Sequence, residues 1–300
     1  MLLLVLWCVL VWGIAASPRP AQDEAAYAAE VEQWHQQRIK SLTGETGWLN
    51  LAGLFWLKEG RSSFGAAKTN TIVFPSGKAP ARIGWFILKD GVVSVRIRPG
   101  IDVRCQGKPV RFMTLRSDAD GQPTILTHGS LSWFVIKRDK EFAIRLRDSQ
   151  HPHLRAFKGI ERFPINISWR IEAKFEPYDP PRKIPILTVL GTTTKEPSPG
   201  ALVFQLQGRT HRLDVIARPE DEQLFVMFAD ETNGQETYGA GRYLYVDRPD
   251  KDGTVILDFN KAHNPPCAFT PYATCPLPPE QNRLPLKVTA GEKQYEGPAH

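Results

Sequence analysis

The sequence predicts a mainly β protein, with antiparallel sandwich- or barrel-like modules and one N-terminal helix. Three observations carry this. Short apolar runs with period-two alternation recur from residue 47 onward. Gly, Pro, Asp and Asn stand at almost every break between those runs. Helical spacing is confined to one segment near the start.

In chain order, the first sixteen residues, MLLLVLWCVLVWGIAA, hold no charged side chain and lead into small residues. This pattern reads as a secretory signal cleaved after Ala16. The alternative is an uncleaved anchor, although the run is shorter than the roughly 20 residues that span a bilayer. Cleavage removes Cys8 and leaves three cysteines, and the expected location is periplasmic or secreted. Residues 22–43 are the helix: acidic residues open it, Lys40 lies near its end, and Gly44 stops it. His35 is expected on its surface.

Residues 47–178 form a first β module. In it, Asp90-Gly91 divides RIGWFILKDGVVSVRI as a tight hairpin, and LSWFVIKRDKEFAIRLRD makes a second hairpin. PYDPPRKIPI, residues 177–186, is the expected boundary, because its prolines cannot donate to a central ladder. Residues 179–300 then form a second β module with a proline-rich C-terminal loop.

The 300 residues are 42% hydrophobic and 23% charged, which suits a folded chain with real cores. The net charge of +6 raises the question of nucleic acid. Yet Arg96, Arg98, Lys137, Arg138, Arg145 and Arg147 are interleaved with Asp139, Glu141 and Asp148. That reads as a solvated mixed-charge surface, with no basic stripe or stacking motif for nucleic acid. No membrane span is expected beyond the N-terminal segment.

The chain holds no Gly-x-Ser-x-Gly elbow, His-Glu-x-x-His pair, phosphate-binding glycine loop or dinucleotide fingerprint. No cofactor is predicted. The stretch that asks for an explanation is DFNKAHNPPCAFTPYATCPLPPEQNRLP, residues 258–285, with seven prolines. Proline fixes φ and lowers the entropy cost of ordering an irregular loop. Asp258, Asn260 and Asn264 stand at the end of a predicted strand and are ligand-binding candidates. Upstream, DETNGQETYGAGRYLYVD adds Asp230, Thr232, Tyr238 and Arg242, where an arginine on a Gly-rich bend can meet an anion. The plainer reading of that bend is a hairpin turned at Asn233-Gly234, with Arg242 paired to Asp247 or Asp258.

Cys267 and Cys275 have three readings: a disulfide, a weak metal set with His263, or a nucleophile at Cys267 with His263 as its base. The disulfide suits export. Cys105 reads as a buried core thiol. His151 and His153 are expected in a solvated loop, and Asn166-Ile167-Ser168 matches a glycosylation acceptor.

WLNLAGLFWLKEGRSSFG, ARIGWFILKDGVVSV, FADETNGQETYGAGRYLYVD and the 258–285 stretch together resemble a prokaryotic family, domain of unknown function 1684, over most of residues 45–295. That resemblance implies no particular activity. The first module also loosely resembles a forkhead-associated sandwich in its EGRSSFG…IVFP…G rhythm, without the Ser-x-x-His that phosphopeptide binding needs.

The functional expectation is an exported protein that binds a small anionic ligand in a pocket framed by residues 230–242 and 258–285. One alternative is a hydrolase-type enzyme using the same pocket, with Asp258 as base and Arg242 as anion stabiliser. Another is a structural envelope protein with no pocket.

Overall fold

The computed structural model describes residues 21–297, so the apolar segment 1–16 lies outside the described residues. The protein is mainly β, built from antiparallel sheets with one long N-terminal helix. Helix α1 (Ala21–Thr43) carries Asp23 and Glu24 in its first turn and Lys40 in its last, as its dipole favours. Tyr27, Val31 and Leu42 are buried along it. His35 is buried as well, against expectation, and burial pushes its imidazole below the ordinary value.

The first module is a sandwich of two sheets. One has the order β1 (Leu51–Trp56), β11 (Glu141–Asp148), β10 (Leu131–Arg138), β9 (Leu126–His128), β6 (Arg104–Cys105), β7 (Lys108–Pro109). The other runs β3 (Ile72–Val73), β2 (Gly60–Gly65), β4 (Gly84–Lys89), β5 (Val92–Ile97), β8 (Phe112–Leu115). Asp90 and Gly91 both take positive φ, 52° and 75°, which gives the β4–β5 hairpin the turn its strand twist favours. Phe64, Phe74, Phe86 and Trp133 centre the core between the sheets. Cys105 packs against this core half-buried, so its thiol is less enclosed than expected.

The two hairpin strands β10 and β11 are apolar on both faces near their middles. Trp133, Val135, Ile144 and Leu146 face the inter-sheet core. Leu54, Phe134, Ile136 and Ala143 form a second small cluster on the outer face. Arg145 stands on that outer face, paired in register with Leu54 on β1 and Phe134 on β10. Hence the expectation of a solvated mixed-charge surface fails at Arg145, which is buried.

The second module has a four-stranded sheet in the order β14 (Arg209–Asp214), β13 (Thr193–Leu206), β12 (Arg170–Leu187), β17 (Thr254–Asp258). A hairpin of β15 (Gln223–Phe228) and β16 (Arg242–Asp247) shares its core. Leu284, Leu286, Val288 and Ala290 close that core, alternating with exposed residues as a strand would. The proline-rich segment 177–186 lies within β12 and does not end it. The ladder to β13 shifts register between Pro177 and Arg182, so residues 178–181 need no partner donors. The change of sheets falls earlier, between Asp148 and Arg170. A short helix, α2 (Pro152–Ala156), lies in that interval and takes up the His-Pro-His stretch expected as loop. His151 caps it by accepting from the His153 backbone N–H.

Leu42, Leu49, Ile160, Ala268 and Phe269 pack together, with Trp48 and Tyr238 against them. This cluster joins α1, the start of the first module and the 258–285 loop. It sets where the two modules meet.

Candidate functional site

The sequence-derived candidates fall into three buried polar networks and one apolar contact. Asp230 accepts from the Thr232 backbone and hydroxyl and from Val288 N through Oδ1, and its Oδ2 lies 2.7 Å from Arg242 Nη2. Arg242 also donates to the carbonyls of Val288 and Ala290, and its side chain is 0% exposed. Burial pulls this guanidinium below its ordinary value, while Asp230 opposes the shift.

In the second network, Tyr27 donates to Asp258 at 2.7 Å, and Asn260 donates to the Tyr27 hydroxyl at 2.8 Å and to the Asn166 carbonyl. Asp258 also caps the turn that follows β17 by accepting from Asn260 N. In the third, Asn264 N donates to Glu292 Oε2 at 2.7 Å, while Arg38 bonds both Glu292 and the Asn264 carbonyl. Tyr238 packs in the apolar cluster at the module junction. No hydrogen bond or ion pair among the described residues joins Arg242 to Asp247, Asp258, Asn260 or Asn264, so its carboxylate partner is Asp230 and not the expected Asp247 or Asp258. Asn166 uses its side chain locally, accepting from Ser168 N and Oγ.

The 258–285 loop is ordered by more than its prolines. Cys267 and Cys275 form a disulfide, with Cα atoms 6.2 Å apart. The metal and nucleophile readings each need a free thiolate at Cys267. Closing this short loop stabilises the fold by about 2.6 kcal/mol on the chain-entropy model. Beyond Cys275 the loop pairs with the end of β12: Val189 N donates to the Cys275 carbonyl at 2.9 Å and Leu277 N to the Leu187 carbonyl at 2.7 Å. The Tyr243 hydroxyl holds the Pro276 carbonyl at 2.6 Å. Asn282 anchors the far end through the carbonyls of Asp214 and Met227. Proline therefore occupies places where the backbone has no donor to satisfy, and the remaining groups are tied down one by one.

Beside this loop a cleft of about 340 Å³ opens between the modules. The first module contributes Trp48, Arg138 and Arg145; the second contributes Tyr243, Tyr245 and the loop from Pro266 to Pro276. Trp48 is placed by a single 3-10 turn after α1, fixed where Asn50 donates to the carbonyls of Gly44 and Glu45. Tyr245 is 54% exposed and lies parallel to both Phe225 and His263, with ring centroids 4.9 and 5.9 Å away. His263 is buried behind it, and burial pushes its imidazole down to about 3, so the ring is neutral.

Arg138 spends its charge: Nη1 lies 2.8 Å from Asp118, and Nε donates to the Thr274 hydroxyl. Arg145 does not. It is 4% exposed, and among the described residues its Nε has no partner and its one acceptor is the Tyr272 carbonyl at 3.5 Å. Its guanidinium sits 5.5 Å over the Trp48 ring. No carboxylate among the described residues lies within ion-pair distance of it. Burial and the neighbouring Arg138 and Arg147 lower its pKa to about 10 while Asp118, beyond ion-pair distance, opposes them, which leaves it charged at neutral pH. Larger hollows of about 820 and 780 Å³ lie along α1; in the first, Arg162 is already paired with Glu32.

Sequence reasoning passed over Arg145 because alternation in FAIRLRD places it on the outer face, ordinarily the wet one. The missed signal was Phe134, Ile136 and Ala143 on that same face, which mark it as covered.

The molecule is thus a two-module β protein with an arginine-bearing cleft at the junction. Residues 155–293 match the family described as protein of unknown function (DUF1684), and the chain belongs to that family over these residues. The match covers the second module and leaves out the first-module stretches that also carried the resemblance. No curated protein matches the chain. Among solved structures, an uncharacterised protein of Haloarcula marismortui is 36% identical, covering 47% of this chain and 80% of its own, at a TM-score of 0.40. The FHA domain of FhaA, solved with the intracellular domain of Rv3910, is 15% identical over 31% of this chain and 97% of its own, at a TM-score of 0.23. At these TM-scores neither likeness bears on fold or function.

Proposed function

We propose that this is an exported β protein that binds a small anionic ligand in the cleft between its two modules. Arg145 carries the reading. A buried cation with no carboxylate in ion-pair contact costs several kcal/mol, and a ligand anion beside it would offset that cost. The cleft is lined mainly by aromatic and proline side chains around a few polar groups, which is the usual make-up of a small-molecule site. The Tyr243 hydroxyl is committed to Pro276 and held protonated by burial, so binding accounts for the cleft more simply than hydrolysis. Export rests on the apolar N-terminal run and on the disulfide.

Thermal stabilisation by organic anions tests the binding reading. The native protein should gain in Tm with millimolar carboxylate or phosphate esters, and Arg145→Met should lose that gain. An equal gain in both proteins would move the site elsewhere. Intact-mass measurement of the native protein tests export: residues 1–16 still attached would point to an anchor.

A further inference from the structure

The charge count of the cleft says which anion fits. Ten of the described residues line it, and among them only Arg138 and Arg145 are charged. Arg138 is neutralised by Asp118 at 2.8 Å, so the cleft offers a single uncompensated positive charge. Arg147, two residues along the same face, does not line the cleft: its Nη2 donates to the Thr46 carbonyl and its guanidinium lies over Phe134. His263 adds nothing, because it is neutral and sits behind Tyr245. The walls are apolar: Trp48, Phe225, Tyr243, Tyr245, Pro266 and Pro276. At about 340 Å³ the space is at the small end of ligand clefts.

Resting on the anion-binding reading above, we infer that the ligand is an organic monocarboxylate with a compact apolar or aromatic body. The planar carboxylate meets the planar guanidinium edge, and its one charge cancels the one charge of Arg145. A phosphate monoester at neutral pH carries close to two charges. Its second charge would be buried among aromatic rings without a partner, which is costly. The aromatic walls take the apolar body, with Tyr245 and Trp48 as stacking faces.

The test is calorimetric titration of the native protein with 3-phenylpropanoate, phenyl phosphate and 3-phenylpropanamide, at pH 8 and pH 5. At pH 8 the carboxylate should bind at least tenfold tighter than phenyl phosphate, and the amide should not bind. At pH 5 phenyl phosphate becomes largely a monoanion, and the gap should narrow. Arg145→Met should abolish binding of both anions. Phenyl phosphate binding as tightly as the carboxylate at pH 8, lost in Arg145→Met, would overturn the monocarboxylate inference and leave the anion cleft standing. Binding of neither anion, or binding unaffected by Arg145→Met, would sink both.

Discussion

Arg242 and Arg145 are both buried arginines on β strands, and they do opposite things. Arg242 meets a carboxylate at 2.7 Å and two main-chain carbonyls, so its charge is consumed in tying the 229–241 loop to the closing segment 286–290. Arg145 meets an aromatic ring and one distant carbonyl, and its charge is left over. The sequence invites the reverse assignment, since Arg242 stands on a Gly-rich bend beside a conspicuous loop. Burial alone does not separate a structural arginine from a ligand-facing one. The count of acceptors around the guanidinium does.

The largest effect expected from this contrast is at Arg242. Arg242→Ala leaves the Asp230 carboxylate buried without its cation and frees two carbonyls, and should cost about 3–5 kcal/mol of stability. Urea unfolding of the variant measures it. A loss below about 1 kcal/mol would put Arg242 with exposed ion pairs, which are worth that little, and leave the two arginines alike.

A middle-sized effect is expected at His263, which backs the cleft wall through Tyr245. A histidine held neutral by burial binds fewer protons folded than unfolded. Its folded value of about 3 lies below the ordinary 6.5. Its stabilising contribution is therefore complete above pH 6.5 and is lost as pH falls towards 3, by up to about 1.4 kcal/mol per pH unit. His35, also lowered by burial, acts with the same sign. The clean measurement is the difference between native protein and His263→Phe across pH 7.5 to 4.5, with the variant expected to show the shallower slope. Parallel slopes would place water at His263.

Much of the fold was legible because alternation and turn chemistry are local. The Asp90-Gly91 hairpin, the β10–β11 pair and helix α1 follow from residues adjacent in the chain. The 177–186 segment misled because proline forbids a ladder bond, not a strand, and β12 passes through by shifting register. The cleft was illegible for a different reason. Its parts come from residue 48, residues 138–145, residues 225–245 and residues 266–276. No short stretch signals that the outer face of one sandwich is roofed by the loop of another. The 266–276 half was visible as an unusual composition; the Arg145 half needed the three-dimensional packing.

The smallest expected effect is the most telling. Arg145→Met keeps an aliphatic stem beside the cross-strand neighbours Leu54 and Phe134 and removes the buried charge. If that charge is uncompensated in the ligand-free protein, its removal relieves a desolvation penalty and leaves no carboxylate stranded. Stability of the ligand-free variant should then match the native protein within roughly 1 kcal/mol, or exceed it. Urea unfolding in a buffer free of carboxylates and phosphate is the measurement, because a bound buffer anion would stabilise the native protein alone and hide the result. A loss comparable to that of Arg242→Ala would mean that Arg145 holds the modules together through contacts as binding as those of Arg242. The two arginines would then belong to one class, and the cleft would lose its claim to a ligand.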